Sequence, residues 1–248
     1  MAGVVSIRFY EELNLFLDKK YRKTEFEYRY RGRTSVKDAI ESLGIPHTEV
    51  DMILVDGDAV DFSYLLKDHD AISVYPVFES MDITGLQHLR KKALRNPRFI
   101  LDVHLGRLAR YLRMAGFDCL YETTFADSEI IRISVAEKRI ILTRDKGILK
   151  NGRVTHGLYV RSEDPGEQFG EIAARLHLGN LFRPFSRCTQ CNEIIEPVAK
   201  ESVLDQLEPL TKMHYSVFYR CTGCRRIYWK GSHFIRMAKF IDDYRNGS

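Results

Sequence analysis

At 248 residues the chain has room for two compact cores, and its 44% hydrophobic and 29% charged content excludes a disordered polymer. The formal net charge of +4 hides an asymmetry: residues 1–80 hold 10 Lys/Arg against 15 Asp/Glu, residues 81–248 hold 28 against 19, so −5 is followed by +9. A basic segment attracts polyanions, nucleic acid foremost. Met1 to Tyr10 reaches Arg8 without a long apolar core, and no later stretch approaches a bilayer-spanning length, so a soluble, cytoplasmic protein with no membrane partner is expected.

Val4–Tyr10 and Thr24–Tyr30 read as strands, the second alternating Phe26, Tyr28 and Tyr30 with Glu25, Glu27 and Arg29. Ser35 and Asp38 then open a helix with Val36, Ala39, Ile40 and Leu43 on one face, Gly44 as its stop and Pro46 beyond. Met52–Val55, the turn Asp56-Gly57-Asp58, and Ala71–Val77 complete the order ββαββ, which suggests a β-grasp domain over 1–80. Arg90, Lys91, Lys92, Arg95 and Arg98 accumulate next as apolar periodicity fades, marking 81–97 as a basic linker.

From Phe99 onward, strands and helices alternate. Phe99–Leu101 leads into a helix from His104 to Ala115, whose buried stripe is Leu105, Leu108, Ala109 and Leu112 and whose other face carries Arg107, Arg110 and Arg113. Phe117–Tyr121, a helix over about 127–138, Ile140–Thr143, Gly157–Val160 and a helix from Pro165 to Leu176 follow. Such alternation implies α/β architecture with a parallel sheet and helices on both faces, assigned to 98–182.

Acids fall where apolar runs end or helices begin: Asp102 after Phe99-Ile-Leu, Asp127 and Glu129 in a first helical turn, Asp145 after Ile140-Ile-Leu-Thr143. In parallel sheets the carboxyl ends of strands form the ligand crevice, where Asp102 and Asp145 are expected. Carboxylates brought together repel unless a cation neutralises them, and Mg²⁺ or Mn²⁺ prefers such oxygen ligands. Each acid also has a structural reading: Asp102 as a helix cap, Asp145 as a turn residue, Asp127 and Glu129 as partners of the helix dipole, and Asp164 as the N-cap before Pro165.

Over 183–248, Cys188-Thr-Gln-Cys191 and Cys221-Thr-Gly-Cys224 form two Cys-x-x-Cys knuckles suited to a structural Zn²⁺, a zinc ribbon whose long insert holds a helical stretch around Val203–Leu207. Cys119, in an apolar strand, is expected in the core. Around the second knuckle Arg220, Arg225, Arg226, Lys230, Arg236 and Lys239 are interleaved with Tyr228, Trp229, His233 and Phe234. Cations hold phosphates and rings stack bases, while the same aromatics also serve as a small core around zinc.

The stretches Asp102-Val-His-Leu-Gly-Arg-Leu-Ala-Arg-Tyr-Leu-Arg113, Ile141-Leu-Thr-Arg-Asp145, Arg161-Ser-Glu-Asp-Pro165 and Tyr228-Trp-Lys-Gly-Ser-His233 resemble the Mut-seven C-terminal family of PIN-like RNase domains with a zinc ribbon, over about 98–236. Residues 4–79, with Val50-Asp-Met-Ile-Leu-Val-Asp-Gly57 and Val74-Tyr-Pro-Val-Phe-Glu79, resemble the ubiquitin-like domain that often precedes it. That domain is similar to sulfur carriers in fold. It runs on through Glu79, Ser80 and Met81 without a free Gly-Gly end, so sulfur transfer is not expected.

The resemblance implies a metal-dependent ribonuclease whose acidic PIN centre comprises Asp102, the Asp127/Glu129 region and Asp145, with Asp164 as a fourth member. The family pattern often has consecutive acids where this chain has Asp127-Ser128-Glu129. Expected cofactors are structural Zn²⁺ and catalytic Mg²⁺ or Mn²⁺; expected partners are RNA and a protein that docks on the ubiquitin-like domain. Arg107, Arg110 and Lys146 are candidate phosphate contacts. The rival reading is a catalytically inactive RNA-binding adaptor.

Overall fold

Aromatic residues alternating with charges make the second strand half-buried, and it pairs with the first. In the computed structural model, which describes residues 2–76 and 96–245, β1 (Ala2–Phe9) and β2 (Glu25–Arg31) run antiparallel with Ile7 opposite Phe26. The Ser35 hydroxyl accepts the Asp38 N–H at 3.1 Å and the Asp38 carboxylate accepts the Ser35 N–H, so α1 (Val36–Ser42) begins where the capping box predicts. With β3 (Val50–Val55), β4 (Asp58–Val60) and β5 (Ala71–Pro76) these build a five-stranded sheet, ordered β2-β1-β5-β3-β4, with β1 and β5 parallel.

β4 departs from the expected ββαββ order. Asp56 and Gly57 both take positive φ, 52° and 91°, closing a two-residue hairpin that turns the chain straight back along β3. Val5, Ile7, Phe9, Ile40, Ile53, Ile72 and Val74 fill the core. Most of the basic linker, with Arg90, Lys91, Lys92 and Arg95, lies outside the described residues.

The alternating region comprises β6 (Phe99–Leu101), α2 (Gly106–Met114), β7 (Cys119–Leu120), α3 (Asp127–Glu137), β8 (Ile140–Thr143), α4 (Lys146–Lys150), β9 (Gly157–Tyr159) and α5 (Pro165–Arg175). β6 and β7 pair in parallel, with Phe99 opposite Cys119; β8 and β9 do likewise, with Ile141 opposite Gly157. Parallel strands joined through helices make this the α/β fold that the alternation predicts. A 3₁₀ turn, Val103–Leu105, precedes α2, and Leu105, Leu108, Ala109 and Leu112 are all buried as expected. Gly116 ends the helix at φ +99°, where a Cβ would run into the Arg183 carbonyl oxygen.

Arg113 corrects the reading of an arginine face on α2. It is buried, donating from Nε to the Cys119 carbonyl at 2.9 Å and from Nη1 to the Gln190 carbonyl at 2.8 Å. A guanidinium can enter a core only where its donors find acceptors, and here two backbone oxygens supply them.

The described chain divides into two compact units, Met1–Asn96 with Ile131–Tyr159, and Pro97–Ile130 with Val160–Ser248. In the first, β8, α4 and β9 fall in the same unit as the five-stranded sheet without joining that sheet. Glu49, fully buried, accepts the Tyr159 N–H at 2.6 Å. His47 sets Nε2 2.9 Å from the Val154 carbonyl and Nδ1 2.7 Å from Glu41, while Lys150 Nζ donates to the Glu41 carbonyl.

In the second, β10 (Ile195–Val198), β11 (Phe218–Cys221) and β12 (Ile227–Trp229) form an antiparallel sheet. Its long insert folds as two 3₁₀ turns, Lys200–Ser202 and Leu204–Gln206, then α6 (Pro209–His214). Val203, Leu207 and Phe218 bury a small core on which Trp229 packs. α7 (Ser232–Asp243) follows the sheet.

Candidate functional site

Each proposed acid sits at the start of a helix. Asp102 follows β6, is buried at 6% exposure, and accepts the His104 N–H at 3.4 Å. The turn behind it is braced by Tyr121, whose hydroxyl donates to the Val103 carbonyl at 2.9 Å. Glycine at 106 gives the Tyr121 ring room to reach this turn, since a Cβ there would meet the Tyr121 hydroxyl at 2.6 Å unless the ring moved.

Asp145 is exposed and caps α4 by accepting the Gly147 N–H at 2.6 Å, while its own N–H donates to Thr143 Oγ1 at 2.8 Å. The structural reading of Asp145 as a turn residue becomes a cap, because the five residues after it form a helix that the short pattern Lys146-Gly147 concealed. Asp127, exposed, and Glu129, half-buried, lie in the first turn of α3.

Asp164 caps α5 through the Gly166 and Glu167 N–H groups at 2.8 and 3.1 Å, ahead of Pro165 at the first helical position. Glu171 was not singled out by sequence reasoning, yet it arranges the loop ahead of Asp164. It accepts the N–H groups of Arg161 and Ser162 and pairs with Arg175 at 3.3 Å, the i,i+4 spacing being the signal available in the sequence. Lys146 holds its ammonium 5.0 Å from the Phe16 ring and 5.7 Å from that of Tyr159, and burial first, then Lys150, lowers its pKa.

The four knuckle cysteines are brought together. Their sulfurs all lie within 4.8 Å of one another, with Cys188 and Cys224 3.6 Å apart and Cys191 and Cys221 3.3 Å apart. A tetrahedron with metal–sulfur bonds of about 2.3 Å has edges of about 3.8 Å, so the donor set fits Zn²⁺. Among the described residues this is the group of three or more potential ligands with that spacing.

Cys188 and Cys221 are fully buried, and Tyr228 supports the cluster with its hydroxyl 2.9 Å from Cys188 Sγ, which realises the core role open to that ring. Burial pushes the Cys221 thiol up to about 12. Burial opposes ionisation of Cys191 too, but the Glu193 N–H and the Cys221 thiol bring it down to about 7. Cys119 is in the core, as expected.

The cysteine cluster is anchored to α2 and β7. Asn192, just past the first knuckle, accepts the Cys119 N–H at 2.9 Å and donates to Asp118 at 2.8 Å, while Arg113 holds the Gln190 carbonyl. Ribbon and α/β elements are therefore joined by buried hydrogen bonds rather than by a bare connection.

Comparison with known proteins places this arrangement. A family model described as the Mut7-C RNAse domain matches residues 97–241, more than half of the chain, and one described as Mut7-C ubiquitin matches residues 2–82. A solved structure of SAMP1 from Haloferax volcanii is similar at 15% identity over 32% of this chain and 100% of its own, with a TM-score of 0.26. No curated protein matches. The ubiquitin-like segment precedes the nuclease-like one in the order that the motifs predict, and the chain belongs to the Mut7-C RNAse domain family.

Proposed function

We propose that this chain is a metal-dependent ribonuclease that hydrolyses RNA phosphodiester bonds. The family match carries the reading, and the acids give it chemistry: Asp102 and Asp145 each follow a strand of the α/β region and open the helical turn after it. Asp102, Asp145 and one of Asp127 and Glu129 hold the metal in this reading, with Asp164 as a fourth member. Mg²⁺ is commonly held by one or two carboxylates plus substrate phosphates, so the centre needs no closed protein cage.

A bound Mg²⁺ or Mn²⁺ would activate water and neutralise developing charge on the phosphate. The protein's part is to orient carboxylate oxygens, and caps do this: the Gly147 N–H fixes one oxygen of Asp145, leaving the other for a ligand. The zinc ribbon assists by gripping RNA, and the ubiquitin-like domain at 1–80 serves protein docking. The domain frame of this proposal is 1–80, 81–97, 98–182 and 183–248.

Labelled single-stranded RNA and DNA of one sequence, incubated with the native chain with and without Mn²⁺ or Mg²⁺, tests the proposal. RNA cleavage that requires added metal is expected. Binding without cleavage under every metal condition would contradict it and favour the adaptor.

A further inference from the structure

The second compact unit contains a cleft of about 480 Å³ between α2, the first cysteine knuckle and α7. Its volume lies within the roughly 300–1,000 Å³ of ordinary ligand sites. Tyr111 and Phe240 meet there as a stacked pair, centroids 4.7 Å apart and planes 27° apart. Arg110 from α2, Arg226 beside the second knuckle, and Arg236 and His233 from α7 also line it, and none of its lining residues is acidic.

The three guanidiniums are exposed and have no hydrogen bond or ion pair among the described residues. Three like charges around one concavity repel each other, and that repulsion is relieved when an anion enters. The walls do not rearrange freely. Buried Arg113 ties the knuckle backbone at Gln190 to α2, and Phe240 packs on Phe169 as well as on Tyr111.

We propose that this cleft is a binding subsite for single-stranded RNA: the arginines take backbone phosphates, and His233 with the Tyr111–Phe240 pair offers ring surface to a base. Guanidinium forks suit phosphate geometry, and rings beside a cationic groove suit unpaired bases of any identity. The inference rests on the reading of the chain as an RNA-cutting enzyme, and it adds the place where substrate is held. It also joins three distant segments of sequence, 110–111, 226 and 233–240, into one surface.

Binding of a labelled single-stranded RNA to the full chain is measured by fluorescence anisotropy across a salt series, without added Mg²⁺ or Mn²⁺. The native chain is compared with the triple variant Arg110→Gln, Arg226→Gln, Arg236→Gln, and with Arg29→Gln, Arg31→Gln, Arg33→Gln, which removes equal charge from the exposed edge of the N-terminal domain. Three lost phosphate contacts lower the slope of log affinity against log salt by about 2, at about 0.7 per contact on a single strand, and weaken binding about 10- to 100-fold.

The control variant keeps the native slope. Equal effects of the two variants, or competition by poly-glutamate as strong as by RNA of the same charge, would overturn the subsite. An unchanged slope in the cleft variant while the native chain cuts RNA overturns the subsite and leaves the nuclease. Loss of binding in the cleft variant of a chain that never cuts supports the subsite and removes the nuclease. A native chain that neither binds nor cuts RNA overturns both.

Discussion

A carboxylate that caps a helix is satisfied by backbone N–H groups, so capping and metal binding compete as explanations for each acid. A cap that uses one carboxylate oxygen leaves the other for a ligand. Asp164 takes two N–H groups at 2.8 and 3.1 Å on one carboxylate oxygen, ahead of a proline, so the cap leaves its other oxygen for the fourth place in the proposed centre. Asp102, which follows β6, is buried and accepts the His104 N–H at 3.4 Å, and in the proposed reading it serves both as cap and as metal ligand.

Arg113 teaches the reverse lesson. Spacing put it with Arg107 and Arg110, yet the knuckle, 77 residues further along, supplies the carbonyl that draws it inward. Replacing it by methionine keeps the volume and orphans two carbonyl oxygens. Charge-assisted bonds of this kind contribute about 1.5–3 kcal/mol each, so Arg113→Met is expected to lower stability by about 3 kcal/mol, read from denaturant unfolding. A change within about 0.5 kcal/mol would contradict that role.

Among the elements, those with a local code were the ones legible in advance. Helix α1 carried its capping box, the first hairpin its alternation, and the ribbon its paired cysteines. Short β4 and five-residue α4 escaped because three to five residues carry too little periodicity; for β4 the Asp56-Gly57 dipeptide was the usable signal. The ribbon also has a measurable chemistry. Metal binds thiolates, and Cys191 in the metal-free cluster gains its proton as pH falls through about 7.

That proton must then be displaced by each arriving ion. Zinc affinity, measured by chelator competition, is expected to fall on going from about pH 8 to about pH 6, with about a further tenfold loss per pH unit once Cys191 is protonated. A loss per pH unit that is the same above and below about pH 7 would contradict assignment of Cys191 as a ligand. His47, Glu49 and Lys150 lay outside every sequence motif because their partners are more than a hundred residues away.

For the whole molecule, the asymmetry of charge from −5 to +9 matches a division of labour: an acidic ubiquitin-like segment, then a basic nuclease-like segment and ribbon. Alternation along the chain gave the α/β class. It did not give the place of β8, α4 and β9 in one compact unit with the first sheet, where long-range bonds such as that from the Tyr159 N–H to Glu49 hold them. The acids likewise were legible as positions at strand ends or helix starts.

The central claim is that carboxylates of the α/β region perform RNA hydrolysis. Its most direct test compares cleavage of labelled single-stranded RNA, with Mn²⁺ or Mg²⁺, by the native chain and by the double variant Asp102→Asn, Asp145→Asn, both with zinc content and unfolding temperature checked. The account predicts that the variant folds, keeps its zinc and loses cleavage by about 10²-fold or more. Equal cleavage by both proteins would contradict it.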